Sequence, residues 1–246
     1  MIDARHGDAY QQRMGEWIGM IEDQDGVRGW VFRDGKARSP ATGLTADDIL
    51  AQLDADDVLA VPASRHAQAL PAKLLPDALP LLDLAQENPP ARLSVAQRLQ
   101  LAGYQAQHPD WDGVVVLLDA RHSHWCLISA AELVGLQTFL TPRLIDALQA
   151  PSQADQPALL ETLSRPERLA AHLALSEANP EAITGHLIGA ELGAARAWWL
   201  GQQVAVIGPV ALANAYATGL ASQGVPAITV RDTTPDGLAA LRSHLG

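Results

Sequence analysis

The stretch VAVIGPVALANAYATGLASQGVPAITV, residues 204–230, decides the fold class. Its first four residues are short, apolar and partly β-branched, and Gly208-Pro209 ends the run, as expected of a buried strand. From Leu212 to Ser222 the apolar residues fall at helical spacing, and Ala227 to Val230 reads as a second strand. A helix follows from Pro235 to Leu245. Strand, helix, strand, helix implies crossover connections, so the two strands should pair in parallel within an α/β layer.

Working upstream, Glu181 to Leu200 reads as one long helix, with Gly189 and Gly193 spaced to allow close packing. Helices are also expected over residues 94–105 and 141–148, and between Pro157 and Leu175. Gly113 to Asp119 and Trp125 to Ile128 read as buried strands joined by a polar turn. Nearer the N-terminus, Val27 to Phe32 alternates as a strand does. The Asp34-Gly35 pair that follows is favoured in tight hairpins, where both central residues need positive φ. This start therefore reads as a β-meander. Thr45 should cap a helix, Val58 to Val61 should be a short buried strand, and residues 63–90 are proline-rich and irregular. The best boundary is the loop His108 to Asp112, which divides the chain into lobes 1–111 and 112–246.

Hydrophobic residues make up 48% of the 246 residues and charged residues 18%, enough for a packed core and too apolar for a disordered chain. The formal charge of −11 has no basic patch to offset it, so nucleic acid is set aside as a partner. A lone Cys126 excludes an internal disulfide. The stretch Met1 to His6 has no apolar signal core, and no run is long enough to span a bilayer. The cytoplasm is the expected location.

Several segments resemble 2-dehydro-3-deoxygalactonokinases, members of the actin, Hsp70 and sugar-kinase superfamily. His186 to Leu192 is similar to the family's "GLLIGAEL" helix. Residues 204–216 are similar to its "VxLVG…LAxxYAxAL" strand and helix. His122 and Trp125 fit the "PGTHxKW" turn, residues 138–148 fit "T-x-x-TGEL", and Arg28 and Trp30 fit "RAW". The resemblance runs from about Glu16 onward and is strongest over the last third. It implies a two-lobed actin-like ATPase/sugar-kinase fold of mixed sheets flanked by helices, with a shortened N-terminal lobe. In an intact member it would also imply ATP-dependent phosphorylation of a 2-keto-3-deoxy sugar acid, with ATP and Mg²⁺ as cofactors.

The residues that would touch phosphate differ from the family pattern. The first phosphate turn, "DWGSTNLR", is matched by Glu22-Asp23-Gln24-Asp25-Gly26-Val27-Arg28, where acids and Gln replace Gly and the hydroxyls. A solvated acidic turn is the plain reading, and a calcium loop lacks its further oxygen ligands. The second turn is Ala120-Arg121-His122-Ser123-His124-Trp125, with Ala for the Gly that lets backbone reach phosphate. His122 and His124 are half a metal site, and the sequence suggests no third ligand, so no metal is expected.

In the substrate-side helix Ser94 to Gly103, Val-Ala-Gln-Arg stands for the family's Arg-Gly-Glu-Glu. Thr141-Pro142-Arg143-Leu144 replaces "TGEL", and Ala63 to Ala67 is a poor match to the "GMVGSxxGW" loop. Packing residues persist where ligand-touching residues do not. The expectation is thus a catalytically degenerate kinase-like protein with no catalytic residues. His122, Trp125 and Gly208 are remnants of the cofactor site, and no cofactor is expected. Such a protein would act as a binding or accessory subunit, with a protein partner or a second copy. An active kinase using ATP and Mg²⁺, or a metabolite sensor using the old cleft, are the alternatives. Trp198 and Trp199 and the stretch Pro71 to Pro90 are candidate docking surfaces.

Overall fold

A computed structural model describes residues 15–23, 25–55 and 57–246. It divides into two units, one reaching Asp110 and including Thr233–Gly246, the other Trp111–Asp232. The division falls in the loop His108 to Asp112, but the C-terminal helix belongs to the first unit, not the second.

The first unit opens on strands β1 (Trp17–Asp23), β2 (Gly26–Arg33) and β3 (Lys36–Gly43), a meander in which β2 is antiparallel to both neighbours. Asp34 and Gly35 both have positive φ, 51° and 71°, as the hairpin reading required. Helix α1 (Ala46–Leu50) is closed by a capping box in which Thr45 and Asp48 each bond the other's backbone amide. Strand β4 (Asp57–Val61) runs parallel to β1 at the sheet edge, giving the order β3-β2-β1-β4. Only Val61 of this strand is buried, because an edge strand has a neighbour on one side only. The expectation of a buried strand there does not hold.

After β5 (Ala67–Ala69) and β6 (Ala72–Lys73), strands β7 (Asp83–Gln86) and β8 (Ala91–Leu93) form a small sheet with β5. Helix α2 (Val95–Gln107) is capped by Ser94 and Gln97. It crosses the C-terminal helix at Gly103, where an added Cβ would lie 2.1 Å from the carbonyl oxygen of Thr233. That clash explains why the two helices meet here with no side chain between them.

In the second unit, β9 (Gly113–Leu118), β10 (Ser123–Ser129) and β11 (Glu132–Phe139) form another antiparallel meander. Helices α3 (Thr141–Ala147), α4 (Gln156–Ser164), α5 (Leu169–Leu175), α6 (Pro180–Ala194) and α7 (Arg196–Trp199) follow. Strand β12 (Val204–Ile207) lies parallel to β9, and β13 (Ala227–Val230) parallel to β12, with α8 (Val210–Ser222) between them. The parallel pairing expected of residues 204–230 is present. Helix α9 (Thr234–Leu245) closes the chain and sends Leu238 and Leu241 into the first unit's core.

Helix α6 packs on α4 through glycine. An added Cβ would lie 2.4 Å from the Asp155 carbonyl oxygen at Gly185 and 2.3 Å from that of Leu159 at Gly189. The expected long helix ends at Ala194. The Trp199 indole donates to the Leu192 carbonyl at 2.9 Å, capping a carbonyl that a continued helix would have used. Among the described residues, no helix is long and apolar enough to cross a membrane.

Candidate functional site

Because β9, β12 and β13 are parallel, their carboxyl ends lie on one side of the second unit's sheet, where ligands of open α/β sheets are usually held. Two of the three remnant positions are at that end. Gly208 follows β12 with room for no side chain, since its Cβ would stand 2.6 Å from that of Leu118. His122 lies in the turn between β9 and β10. Trp125 is farther along β10, fully buried, and its indole donates to Glu191 at 2.8 Å. It belongs to the core.

The turn is organised by Asp119. Its Oδ1 accepts from the backbone amides of Arg121 and His122, both at 2.7 Å, and its own amide donates to the His122 carbonyl at 3.0 Å. His124 Nε2 stands 3.4 Å from Asp119 Oδ2, and His122 Nδ1 stands 3.9 Å from Oδ1. His124 is buried, and its Nδ1 meets the Thr138 hydroxyl at 2.9 Å. Burial alone would raise the Asp119 carboxyl. Hydrogen bonds from His124 and from the Arg121 and His122 amides outweigh it and bring the group down to about 2. Burial is the main cause holding His122 below the usual imidazole value; Asp119 opposes it, while His124, Arg121 and Arg143 add to it. The sequence reading found no third metal ligand beside the two histidines. The turn geometry supplies one in Asp119, the last residue of a stretch read as buried strand.

The first unit's turn follows a similar rule. Asp23 Oδ1 accepts from the Asp25 amide at 2.9 Å, and Arg28 Nε donates to Oδ2 at 3.3 Å. The Glu22 carboxylate accepts from the Ala63 amide at 3.3 Å. Gln24 lies outside the described residues, as does Met1 to His6, on which the expectation of no signal segment rests.

Two polar clusters went unread in the sequence. Glu191, fully buried on α6, accepts from Ser123 Oγ at 2.7 and 2.8 Å, Trp125 Nε1 at 2.8 Å and the Tyr216 hydroxyl at 2.8 Å, and bonds Thr141 as well. Burial pushes this carboxyl up, and the donors offset part of that rise. Arg98, buried on α2, donates to the carbonyls of Leu74 at 2.8 Å, Leu82 at 2.8 Å and Lys73 at 2.6 Å. Burial lowers its pKa to about 10. Arg98 is the one charged residue of α2, and Glu191 the one charged residue of α6 beyond its first turn; that was the available signal.

A second imidazole pair, His172 and His186, flanks Thr162 at 2.6 and 2.7 Å. The other ring nitrogen of His186 meets Ser176 at 3.0 Å, so both of its nitrogens serve the helix packing. Of the tryptophans considered for docking, Trp199 is buried and Trp198 is half-buried against the core near Gly135. Cys126 is buried, and burial pushes its thiol up, which suits core rather than nucleophile.

Residues 150–241 match the family model described as 2-keto-3-deoxy-galactonokinase. No curated protein matches the chain. The structure is similar to that of a Sinorhizobium meliloti protein assigned as a 2-dehydro-3-deoxygalactonokinase, with TM-score 0.77 and 19% identity over 92% of this chain and 98% of that one. It is also similar to the activator of 2-hydroxyisocaproyl-CoA dehydratase from Clostridium difficile, with TM-score 0.50 and 10% identity over 94% of each chain. Component A of the Acidaminococcus fermentans (R)-2-hydroxyglutaryl-CoA dehydratase gives TM-score 0.50 and 9% identity over 94% of this chain and 99% of that one. The chain has the actin-like ATPase and sugar-kinase fold, and over residues 150–241 its sequence is similar to the 2-keto-3-deoxy-galactonokinase family.

Proposed function

We propose that this chain is a kinase-like protein that no longer transfers phosphate and works by binding, in the cytoplasm, with a protein partner or a second copy as its ligand. One observation carries the reading. In both turns that resemble phosphate turns, an Asp carboxylate of the turn itself accepts backbone amides of the kind a phosphate would need, one in the first turn and two in the second. A phosphate would have to displace a carboxylate already bonded at 2.7 Å to two amides, and would meet its charge in doing so. Ala120 adds a methyl where a Gly would let the phosphate approach, and Glu22, Asp23 and Asp25 add negative charge at the first turn.

Calorimetry with Mg-ATP tests the reading, together with an assay for phosphorylation of 2-keto-3-deoxy-galactonate. No heat at millimolar nucleotide and no product are expected. A micromolar dissociation constant with turnover would overturn it in favour of an active sugar-acid kinase. The partner is tested separately, by size exclusion of a native extract. Elution of the chain as free monomer would remove the binding role.

A further inference from the structure

A pair of histidines two residues apart needs a third donor before it can hold a metal ion, and the fold places one between them. We propose that Asp119, His122 and His124 form a binding site for a divalent cation of the zinc type at the carboxyl end of β9. The nearest donor pair, Asp119 Oδ2 and His124 Nε2, is separated by 3.4 Å. Two ligands at about 2.0–2.2 Å on a tetrahedral ion stand at about that separation. All three ligand atoms lie within 4.8 Å of one another. His122, on a turn and half-exposed, with Nδ1 3.9 Å from Asp119 Oδ1, is the ligand that must swing inward.

Two of the three ligands are already held in place. Two backbone amides fix Asp119 through Oδ1, leaving Oδ2 to face His124. Thr138 fixes the His124 ring through Nδ1, so that Nε2 faces the carboxylate. An outer hydrogen bond on the far ring nitrogen is the usual support of a metal-bound imidazole. With the ion on Nε2, a neutral His124 carries its proton on Nδ1, and the Thr138 hydroxyl accepts from it.

The donor set selects the ion. Two imidazoles and one carboxylate suit zinc, cobalt or nickel, whereas magnesium and calcium prefer oxygen. Three protein ligands leave a fourth position for water. The proposal does not rest on the loss of phosphate transfer, and its test uses metal ions without nucleotide.

The whole chain, stripped of metal with a chelator, is titrated with Zn²⁺ by calorimetry and with Co²⁺ by visible absorption. One ion per chain is expected, with cobalt bands of a four- or five-coordinate site and no competition from Mg²⁺. His122→Ala, which removes a half-exposed side chain and leaves the core intact, should weaken binding at least tenfold. Thr138→Val keeps every ligand and should weaken it about tenfold. Absence of saturable zinc binding up to millimolar metal would overturn the proposal. So would binding unchanged within twofold in His122→Ala, or binding lost instead in His172→Gln.

Discussion

Two carboxylates of the second unit, Glu191 and Asp119, are both surrounded by donors, yet they end on opposite sides of the usual carboxylate range. Glu191 is met by side chains from β10, α3 and α8, and burial dominates, so its pKa is raised. Asp119 is met mainly by the backbone of its own turn and by His124, and it stays partly solvated, so its pKa falls to about 2. The first can be satisfied only when distant parts of the chain have assembled. The second is satisfied by the turn and the strand that follows it. Glu191 is therefore part of the framework, and Asp119 is what the framework displays at the strand ends.

The framework side should show the largest effects. Gly189→Val would drive side-chain atoms into the Leu159 carbonyl, 2.3 Å from where a Cβ would stand, and force α4 and α6 apart. Overpacking of this kind costs about 3 kcal/mol or more, read as a fall in the denaturant midpoint. A midpoint unchanged by that substitution would deny that the helix crossing holds the unit together.

Glu191→Gln comes next. The amide nitrogen would face either the Trp125 N–H, which can only donate, or hydroxyls that must turn to accept from it. A buried donor that loses its acceptor this way costs about 1–3 kcal/mol. The charge also has a sign to check. A carboxyl whose folded pKa is raised contributes stability that is present below its unfolded value and lost as pH rises through the folded one. The wild type should therefore lose stability above the ordinary carboxylate range more steeply than Glu191→Gln does. Equal slopes would mean that Glu191 is not the group responsible.

Much of this framework was legible in the sequence. The Asp34-Gly35 hairpin, the meander starts, the parallel strands of residues 204–230 and the glycine-spaced helix follow from local periodicity and turn chemistry. The family match over residues 150–241 covers the part where those packing signals are densest. What could not be read depends on contacts far apart in the chain. Trp125 meets Glu191 across a sequence separation of 66, and Arg98 meets Lys73 across 25. Nothing local to Glu191 or Arg98 names those partners. Asp119 was missed for a different reason. Its role depends on the side chain turning back onto two amides, which a strand-ending Asp can do or not do with the same neighbours in sequence. Arg98→Met offers an intermediate test. Losing three carbonyl bonds should destabilise the first unit by about 2 kcal/mol, while leaving the cobalt spectrum of the second unit unchanged.

The smallest expected effect belongs to Asp119→Asn, and it bears most directly on the contrast with Glu191. Asn keeps an oxygen that can accept the Arg121 and His122 amides, so the turn should keep its shape and stability near neutral pH should change little. The difference lies in acid. A carboxyl depressed to about 2 contributes stability that is fully present above its unfolded value, about 3.9, and is lost as pH falls between the two. The amount is modest, below about 1 kcal/mol, because the Asp119 side chain is 39% exposed and water screens its partners. The wild type and Asp119→Asn should thus run parallel from neutral pH to about 5 and converge as pH falls toward 2. That is the opposite sense to the Glu191→Gln comparison, where the wild type gives up its lead on the alkaline side. If the two Asp119 curves stayed parallel throughout, the amide bonds would not be holding a charged carboxylate, and the contrast between the two sites would collapse into a difference of burial alone.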